Sequence, residues 1–130
     1  MLDVFLERMA AAAFEDGTAD GARTLADWVV VATGCPDPAS HLRGRYRTAL
    51  GRERLLRRLG GLEAVISDCA RRALLAETHT PTRGDIGLIR WAGVELAAIC
   101  LGRRWAVKAS EGVVVQAADA VIRAWEVPHG

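Results

Sequence analysis

The spacing of apolar residues changes once along the chain, and this change restricts the fold more than any other feature. Up to about residue 78 the apolar residues recur every three to four positions, as on one face of a helix. From about residue 84 to 127 they form short runs rich in β-branched residues and separated by glycines. This order predicts an α+β fold, with N-terminal helices packed on a small antiparallel β-sheet.

Capping residues predict where the helices begin and end. The first helix is predicted to end at Asp16-Gly17, and the second to lie between an N-cap at Asp20 and a C-cap at Gly34. Two prolines then interrupt the helical pattern. Thr48 is predicted to cap a third helix, and Gly60-Gly61 to join it tightly to a fourth.

The second part of the chain predicts a meander of short strands. Hairpin turns are expected at Gly102-Arg103 and Glu111-Gly112, so consecutive strands should pair antiparallel. Residues 117–125 predict one more helical turn, and "WEV" (125–127) predicts a last strand. The other expected strands comprise residues 86–91, 95–102, 103–109 and 112–116.

Length and composition describe one globular domain over residues 1–130. The chain is 51% hydrophobic and 25% charged, and no apolar run reaches the roughly 20 residues that cross a bilayer, so no membrane span is predicted. Asp3 and Glu7 precede Arg8, which is not the charge order of a secretion signal. Three cysteines without CxxC spacing indicate neither a disulfide framework nor a zinc site, and no metal or other cofactor is predicted.

Four stretches of the chain carry a resemblance to a known family. They are "LRGRYRTALG…LLRRLGGLE" (42–63), "RGDIGLI" (83–89), "ICLGRRWAV" (99–107) and "RAWEV" (123–127). In these stretches the chain resembles a compact, phage- and prophage-associated branch of the papain-like cell-wall peptidases of the NlpC type. The resemblance covers most of the chain and implies a degenerate papain-like fold.

The resemblance also implies which positions would form the catalytic site. In that family a Trp-Gly pair precedes an Asp-Cys pair that opens a helix, and a catalytic histidine begins the second strand. Here Asp16-Gly17 occupies the Trp-Gly position, Asp20 matches the aspartate, and Gly21 stands in place of the cysteine. Glu95 and Leu96 stand where the histidine would begin its strand. The implied site is therefore degenerate, with no catalytic residue.

The loss of these two residues would remove the reaction. A cysteine in the first turn of a helix gains thiolate character from the helix dipole, and a neighbouring histidine acts as its base. Glycine supplies no atom for either step. Cys35, Cys69 and Cys100 are interpreted as buried thiols. Thr18 and Thr24 flank the position, but neither has a nearby histidine in sequence to activate it.

The remaining titratable residues are interpreted as structural. His41, His79 and His129 are expected to be solvent-exposed residues of loops and of the tail. Asp85 follows Gly84 in a turn, and its carboxylate is expected to accept hydrogen bonds from backbone N–H groups rather than to act as an acid or base.

Seven arginines and one acid, Glu53, lie between residues 43 and 58. This charge could contact nucleic acid, but the net charge of the whole chain is only +1, and Arg57 forms an ordinary i,i+4 pair with Glu53. A solvated face or a protein contact is therefore favoured over nucleic acid. The guanidinium fork suits carbonyls of the loop or carboxylates of a partner. The predicted partner-binding residues are Arg43, Arg45, Tyr46, Arg47, Arg54 and Arg58.

Three tryptophans lie in or beside predicted strands. Trp91, Trp105 and Trp125 are expected to pack in the core or on a face of the sheet. If two of them were exposed, they would instead indicate a docking surface, because aromatic residues are enriched at interface hot spots.

Three functions follow from these expectations. The first is a non-catalytic structural component of a phage or phage-like tail, near its tip or hub, made in the bacterial host cytoplasm and found in the virion. Its partners would be other tail proteins, with no small-molecule substrate. The second is a peptidoglycan hydrolase with an unrecognised nucleophile in the same cleft, and the third is a nucleic-acid-binding accessory protein.

Overall fold

The structure is a computed structural model, and it describes residues 1–11, 21–109 and 112–128. These residues form four helices followed by five strands, which confirms the α+β class. The helices are α1 (Leu2–Ala11), α2 (Gly21–Thr33), α3 (Ala49–Arg58) and α4 (Leu62–Arg72). The strands are β1 (Ile86–Trp91), β2 (Val94–Cys100), β3 (Trp105–Ala109), β4 (Gly112–Gln116) and β5 (Ala120–Trp125). None of the described helices has the length and apolarity that a membrane crossing requires.

Capping residues set the ends of the middle helices as the sequence predicts. The Thr48 hydroxyl accepts a hydrogen bond from the Gly51 N–H at 3.0 Å and so caps α3. Gly34 follows α2 with φ +71°. Gly60 and Gly61 have φ +98° and +99°, which lets the chain turn tightly from α3 into α4.

The strands form one antiparallel sheet in the order β4-β3-β2-β1-β5. The first four are a meander, as predicted, and β5 returns to pair with the other side of β1. The strands expected at 95–102 and 103–109 are shorter than expected, because residues 101–104 form the connection between β2 and β3.

The prediction for the last segment is wrong. Residues 117–125 contain alanines that favour a helix, yet Ala120–Trp125 is a strand. β1 would otherwise expose a row of backbone donors and acceptors, and β5 pairs with them, with Trp125 opposite Ile86. Trp125 therefore ends a strand, whereas "WEV" was expected to form one of its own.

The helices cover one face of the sheet, and Trp28 of α2 lies at the centre of this layer. Trp28 is fully buried, and its ring centroid lies 5.4 Å from that of Phe5 in α1. Leu88 and Ile99 face it from the sheet side of the same core cluster. Trp125 belongs to this cluster, as the sequence predicts.

The other face of the sheet carries a second core in which Trp105 is the largest side chain. This cluster also contains Ile89, Ala98, Cys100 and Ala124, all nearly fully buried. A Cβ atom at Gly87 would come within 2.9 Å of the Trp105 ring. The indole therefore fills the space that a side chain at this position would need. Trp91, in contrast, is 38% exposed at the end of β1.

Candidate functional site

The N-terminus of α2 lies against strand β2. A Cβ atom built on Gly21, the first residue of α2, would lie 3.7 Å from the Cβ of Ala97, an ordinary van der Waals distance. The helix start and the second strand are therefore in contact. Asp16-Gly17 and Asp20, together with Thr18, lie outside the described residues.

A cleft of about 320 Å³ opens beside this contact. Gly21, Glu95 and Leu96 all line it, so the structure brings together the described positions of the degenerate site. The walls are mostly apolar and come from α2, α3, α4, β2 and β3. Two cationic residues, Arg52 and Lys108, also line the cleft.

The side chains of the cleft do not provide thiol chemistry. Among the described residues that line it, there is no cysteine, histidine, serine or threonine. The Glu95 carboxylate lies 3.4 Å from the guanidinium of Arg90, its cross-strand neighbour. Leu96 packs against the second core, and Lys108 donates a 2.6 Å hydrogen bond to the carbonyl of Met9. Each of these groups contributes to packing or pairing of the fold.

The three cysteines lie elsewhere. Burial raises the pKa of the Cys69 thiol to about 11, and burial also raises the pKa of Cys100. The Cys100 sulfur accepts a hydrogen bond from the Gly102 N–H at 3.4 Å. Cys35 is partly buried and packs against the core cluster that contains Trp28. Cys100 is buried as expected, whereas Cys35 and Cys69 keep partial exposure.

Arg43 is a partly buried residue of the loop between α2 and α3. Its guanidinium lies 2.5 Å from Asp37 and 2.5 Å from Asp27, so it ties the loop to α2. Burial raises the pKa of Asp27. Burial alone would raise the pKa of Asp37 as well, but hydrogen bonds from Arg43 and from the Ala39 N–H outweigh it and lower that pKa. The carboxylates that Arg43 was expected to find on a partner lie in its own chain.

Tyr46 is also used inside the fold. Its ring lies under the guanidinium of Arg23, 5.1 Å from the ring centroid, and its hydroxyl accepts a 3.4 Å hydrogen bond from Arg23 Nε. Arg23 is completely buried in α2 and donates a further hydrogen bond to the Leu42 carbonyl. The burial of Arg23 is not predictable from the sequence, because Arg23 does not fall on the apolar stripe of its helix and nothing else distinguishes it from surface arginines.

The exposed part of the arginine segment is smaller than the sequence indicates. Arg57 pairs with Glu53 at 3.0 Å, as predicted. The members of the predicted contact set that are exposed to solvent are Arg45, Arg47, Arg54 and Arg58.

The prediction that His41 is a solvent-exposed loop residue is wrong. Its Nε2 lies 3.4 Å from the Asp68 carboxylate, and its side chain is only 27% exposed. Burial, followed by the charge of Arg72, lowers the pKa of His41. His79 is exposed as predicted, and His129 lies outside the described residues.

The structural interpretation of Asp85 is confirmed. One oxygen of its carboxylate accepts from the Thr82 N–H at 2.8 Å, and the other accepts from the Val127 N–H at 3.1 Å. Asp85 is buried and so fixes the turn before β1 to the segment after β5. Across residues 1–11, 21–109 and 112–128, no group of three histidine, cysteine, aspartate or glutamate side chains is placed to hold a metal ion.

Fold and cleft together define the class of protein: an α+β domain whose α2 N-terminus meets the second strand beside a cleft that has, among its described lining residues, no cysteine and no histidine. A family model described as "Domain of unknown function (DUF6950)" matches residues 1–127. The chain belongs to this family. The comparison with curated proteins found no match, and the comparison with solved structures found none.

Proposed function

We propose that this chain is a non-catalytic structural component of a phage or phage-like tail, in which a degenerate papain-like domain of the NlpC type serves at the tail tip or hub. Its partners are other tail proteins of the hub or tip. It takes no small-molecule substrate, and it resides in the virion after synthesis in the host cytoplasm.

The observation that carries the proposal is the composition of the cleft at the start of α2. Gly21, Glu95 and Leu96 all line it, and these are the positions at which the resembling peptidases hold a cysteine and a histidine. Acyl transfer by a thiol needs a nucleophile and a base within hydrogen-bond reach of each other. Gly21 has no side chain to act as nucleophile, Leu96 cannot accept a proton, and the Glu95 carboxylate is paired with Arg90 at 3.4 Å. A fold that keeps this geometry without those atoms retains its surfaces for binding.

The placement in a tail follows from the family resemblance. The exposed arginines of the loop and of α3 support a contact with a protein partner, because guanidinium groups are enriched at interface hot spots. Arg54 and Arg58, one helical turn apart on α3, are suited to bidentate contact with carboxylates of such a partner.

Two experiments test the two parts of this proposal. In the first, purified protein is incubated with peptidoglycan beside the variants Gly21→Cys and Gly21→Cys/Glu95→His, and released peptides are measured; Glu95 is chosen because it lies on the same face of β2 as Ala97, which contacts Gly21. The natural chain is expected to release none. Release of peptides by the natural chain would show that it is a hydrolase and would overturn the non-catalytic proposal.

In the second experiment, phage or phage-like particles are purified from cells that produce the tagged chain, and the particles are probed for it. The natural chain is expected in the tail fraction, and Arg54→Glu/Arg58→Glu is expected to be depleted from it. Arg71→Glu, at an exposed arginine of α4, is the matched control and should remain. Absence of the natural chain from particles would contradict the tail placement while leaving the first experiment valid.

A further inference from the structure

The two outer strands of the sheet differ in how their free edges are protected. The edge of β5 is covered near its end, where the Thr78 N–H donates to the Ala124 carbonyl at 2.9 Å and the Glu126 N–H donates to the Ala76 carbonyl at 2.8 Å. The pairing of β5 with β1 also contains a register shift between Leu88 and Ile89. Covering segments and bulges are devices that keep an edge from pairing with other chains.

The edge of β4 has none of these devices in the part of the chain that the structure describes. Its sequence is "GVVVQ", which contains no charge and no proline. All five residues keep regular register with β3, from Gly112 opposite Ala109 to Gln116 opposite Trp105. Within residues 1–11, 21–109 and 112–128, no other strand pairs with β4. A regular, uncharged edge of this kind is a template for strand addition.

The three central side chains of β4 are apolar valines, and they are partly exposed on both faces. Val114 is 37% exposed on the face of the second core, where it lies opposite Val107 of β3. Val115 is 42% exposed on the helix-bearing face, opposite Ala106. A strand that added to this edge would cover both valines and extend both apolar faces of the sheet.

We propose that β4 pairs antiparallel with β4 of a second copy of this chain, across a two-fold axis at Val114. A second copy of the chain is the partner that we favour, because the strand is complementary to itself. The three central residues are all valines, so the register that is symmetric about Val114 places valine against valine at all three central positions. With no charge in the strand, two copies meet without repulsion, and the net charge of +1 adds little. A two-fold interface requires this self-complementarity, because the same patch contributes from both copies.

The geometry of the pair follows from the register. With the axis at Val114, Val113 of one copy lies opposite Val115 of the other, on the same face of a continuous ten-stranded sheet. The axis is then perpendicular to the sheet, so the helices of both copies lie on one side. α1 packs against β4, with the Ala10 carbonyl beside Gly112, and the two copies of α1 are the helices nearest the axis. This dimer is independent of the proposed function, since neither the Gly21 cleft nor the exposed arginines lie on β4.

Sedimentation of the natural chain over a wide range of concentration tests the dimer. A reversible monomer–dimer equilibrium is expected, and Val115→Lys is expected to abolish it, because a lysine on an edge strand opposes pairing. Val121→Lys is the matched control, because Val121 lies on the other outer strand and is 44% exposed. It should leave the dimer intact. A natural chain that is monomeric at every concentration, or a dimer lost in Val121→Lys and kept in Val115→Lys, overturns the proposal.

Cross-linking tests the register and does not depend on the folding of the lysine variant. Val114→Cys, in a Cys35→Ser/Cys69→Ser background that removes both partly exposed natural thiols, should form a disulfide-linked dimer on oxidation. Opposed residues of an antiparallel pair have Cα atoms about 4.5 to 5.5 Å apart, within the range that a disulfide spans. Val121→Cys in the same background should remain uncross-linked. Equal cross-linking of the two variants contradicts pairing at β4.

Discussion

The indole Nε1 of Trp28 donates a 2.7 Å hydrogen bond to the carbonyl oxygen of Gly84, and this bond joins the central helix to the start of the sheet. Trp28→Phe keeps most of the apolar ring but removes this donor, so a buried carbonyl loses its partner. We expect the free energy of unfolding to fall by about 1–3 kcal/mol. Urea denaturation followed by circular dichroism measures it.

The control for this change is Trp91→Phe, because Trp91 is 38% exposed at the end of β1. Its effect should stay within about 0.5 kcal/mol. Equal losses in the two variants would mean that the bond to Gly84 does not stabilise the fold.

Two glycines with opposite surroundings give the second prediction. A Cβ at Gly87 would lie 2.9 Å from both the Trp105 ring and the Arg123 carbonyl oxygen. We expect Gly87→Ala to destabilise the fold by about 1–3 kcal/mol, since core overpacking forces neighbours to shift. Gly21→Ala meets only Ala97 at 3.7 Å and should leave stability unchanged or raise it by up to about 1 kcal/mol. Thermal unfolding of both variants measures the change in stability. If Gly21→Ala lost stability and Gly87→Ala did not, the packing described for the two glycines would be contradicted.

The third prediction concerns Asp85. Asp85→Ala removes the acceptors of the Thr82 and Val127 N–H groups, each unmade buried bond costing about 1–3 kcal/mol. The segment after β5 should loosen, and the amide of Val127 should exchange with solvent faster. Asp119→Ala is the matched control, because that carboxylate accepts from the Ala92 N–H at 2.9 Å in an exposed turn. Hydrogen exchange followed by NMR compares the two variants. An unchanged exchange rate of the Val127 amide in Asp85→Ala would show that Asp85 does not hold this segment in place.

The fourth prediction is a pH dependence at His41. Burial, and then the charge of Arg72, lower the pKa of His41 below its ordinary value of 6.5. The unfolded chain therefore binds the proton at a higher pH than the folded protein does. Stability should fall as the pH decreases through 6.5, and this fall should end once the pH lies below the folded pKa. Urea denaturation at a series of pH values measures the slope.

His41→Gln should remove this slope, and His79→Gln, at an exposed loop position, should retain it. Asp68, the partner of His41, acts in a different window. The hydrogen bond from Arg72 lowers its pKa, so its stabilising contribution is lost only below about pH 4. A slope between pH 8 and 5 that survives in His41→Gln would assign it to another group.

The parts of the fold that the sequence predicts are those set by local chemistry. Thr48 caps α3, and the pair Gly60-Gly61 joins two helices, because a hydroxyl and two residues with positive φ act on their immediate neighbours. Asp85 is predictable for the same reason, since one of its two bonds lies within its own turn.

The features that the sequence does not predict depend on contacts between distant segments. β5 is a strand because β1 offers it a free edge, whatever its alanines prefer. His41 is paired because α4 brings Asp68 to it, and Arg43 is paired because α2 brings Asp27 to it. Gly21 contacts Ala97 because the fold brings the start of α2 to β2, and no local pattern of the sequence predicts this contact.

The position of β1 between β2 and β5 has a consequence for synthesis on the ribosome. β2 follows β1 after a short hairpin, whereas Ala120, the first residue of β5, comes only after three further strands. A growing chain can therefore form the meander while one side of β1 is still unpaired. Ile86 and Leu88 then have no partner strand on that side until β5 is synthesised. During that interval the unpaired edge of β1 exposes the nascent chain to aggregation with other nascent chains on the same mRNA. Rapid translation of residues 100–125 would shorten the interval.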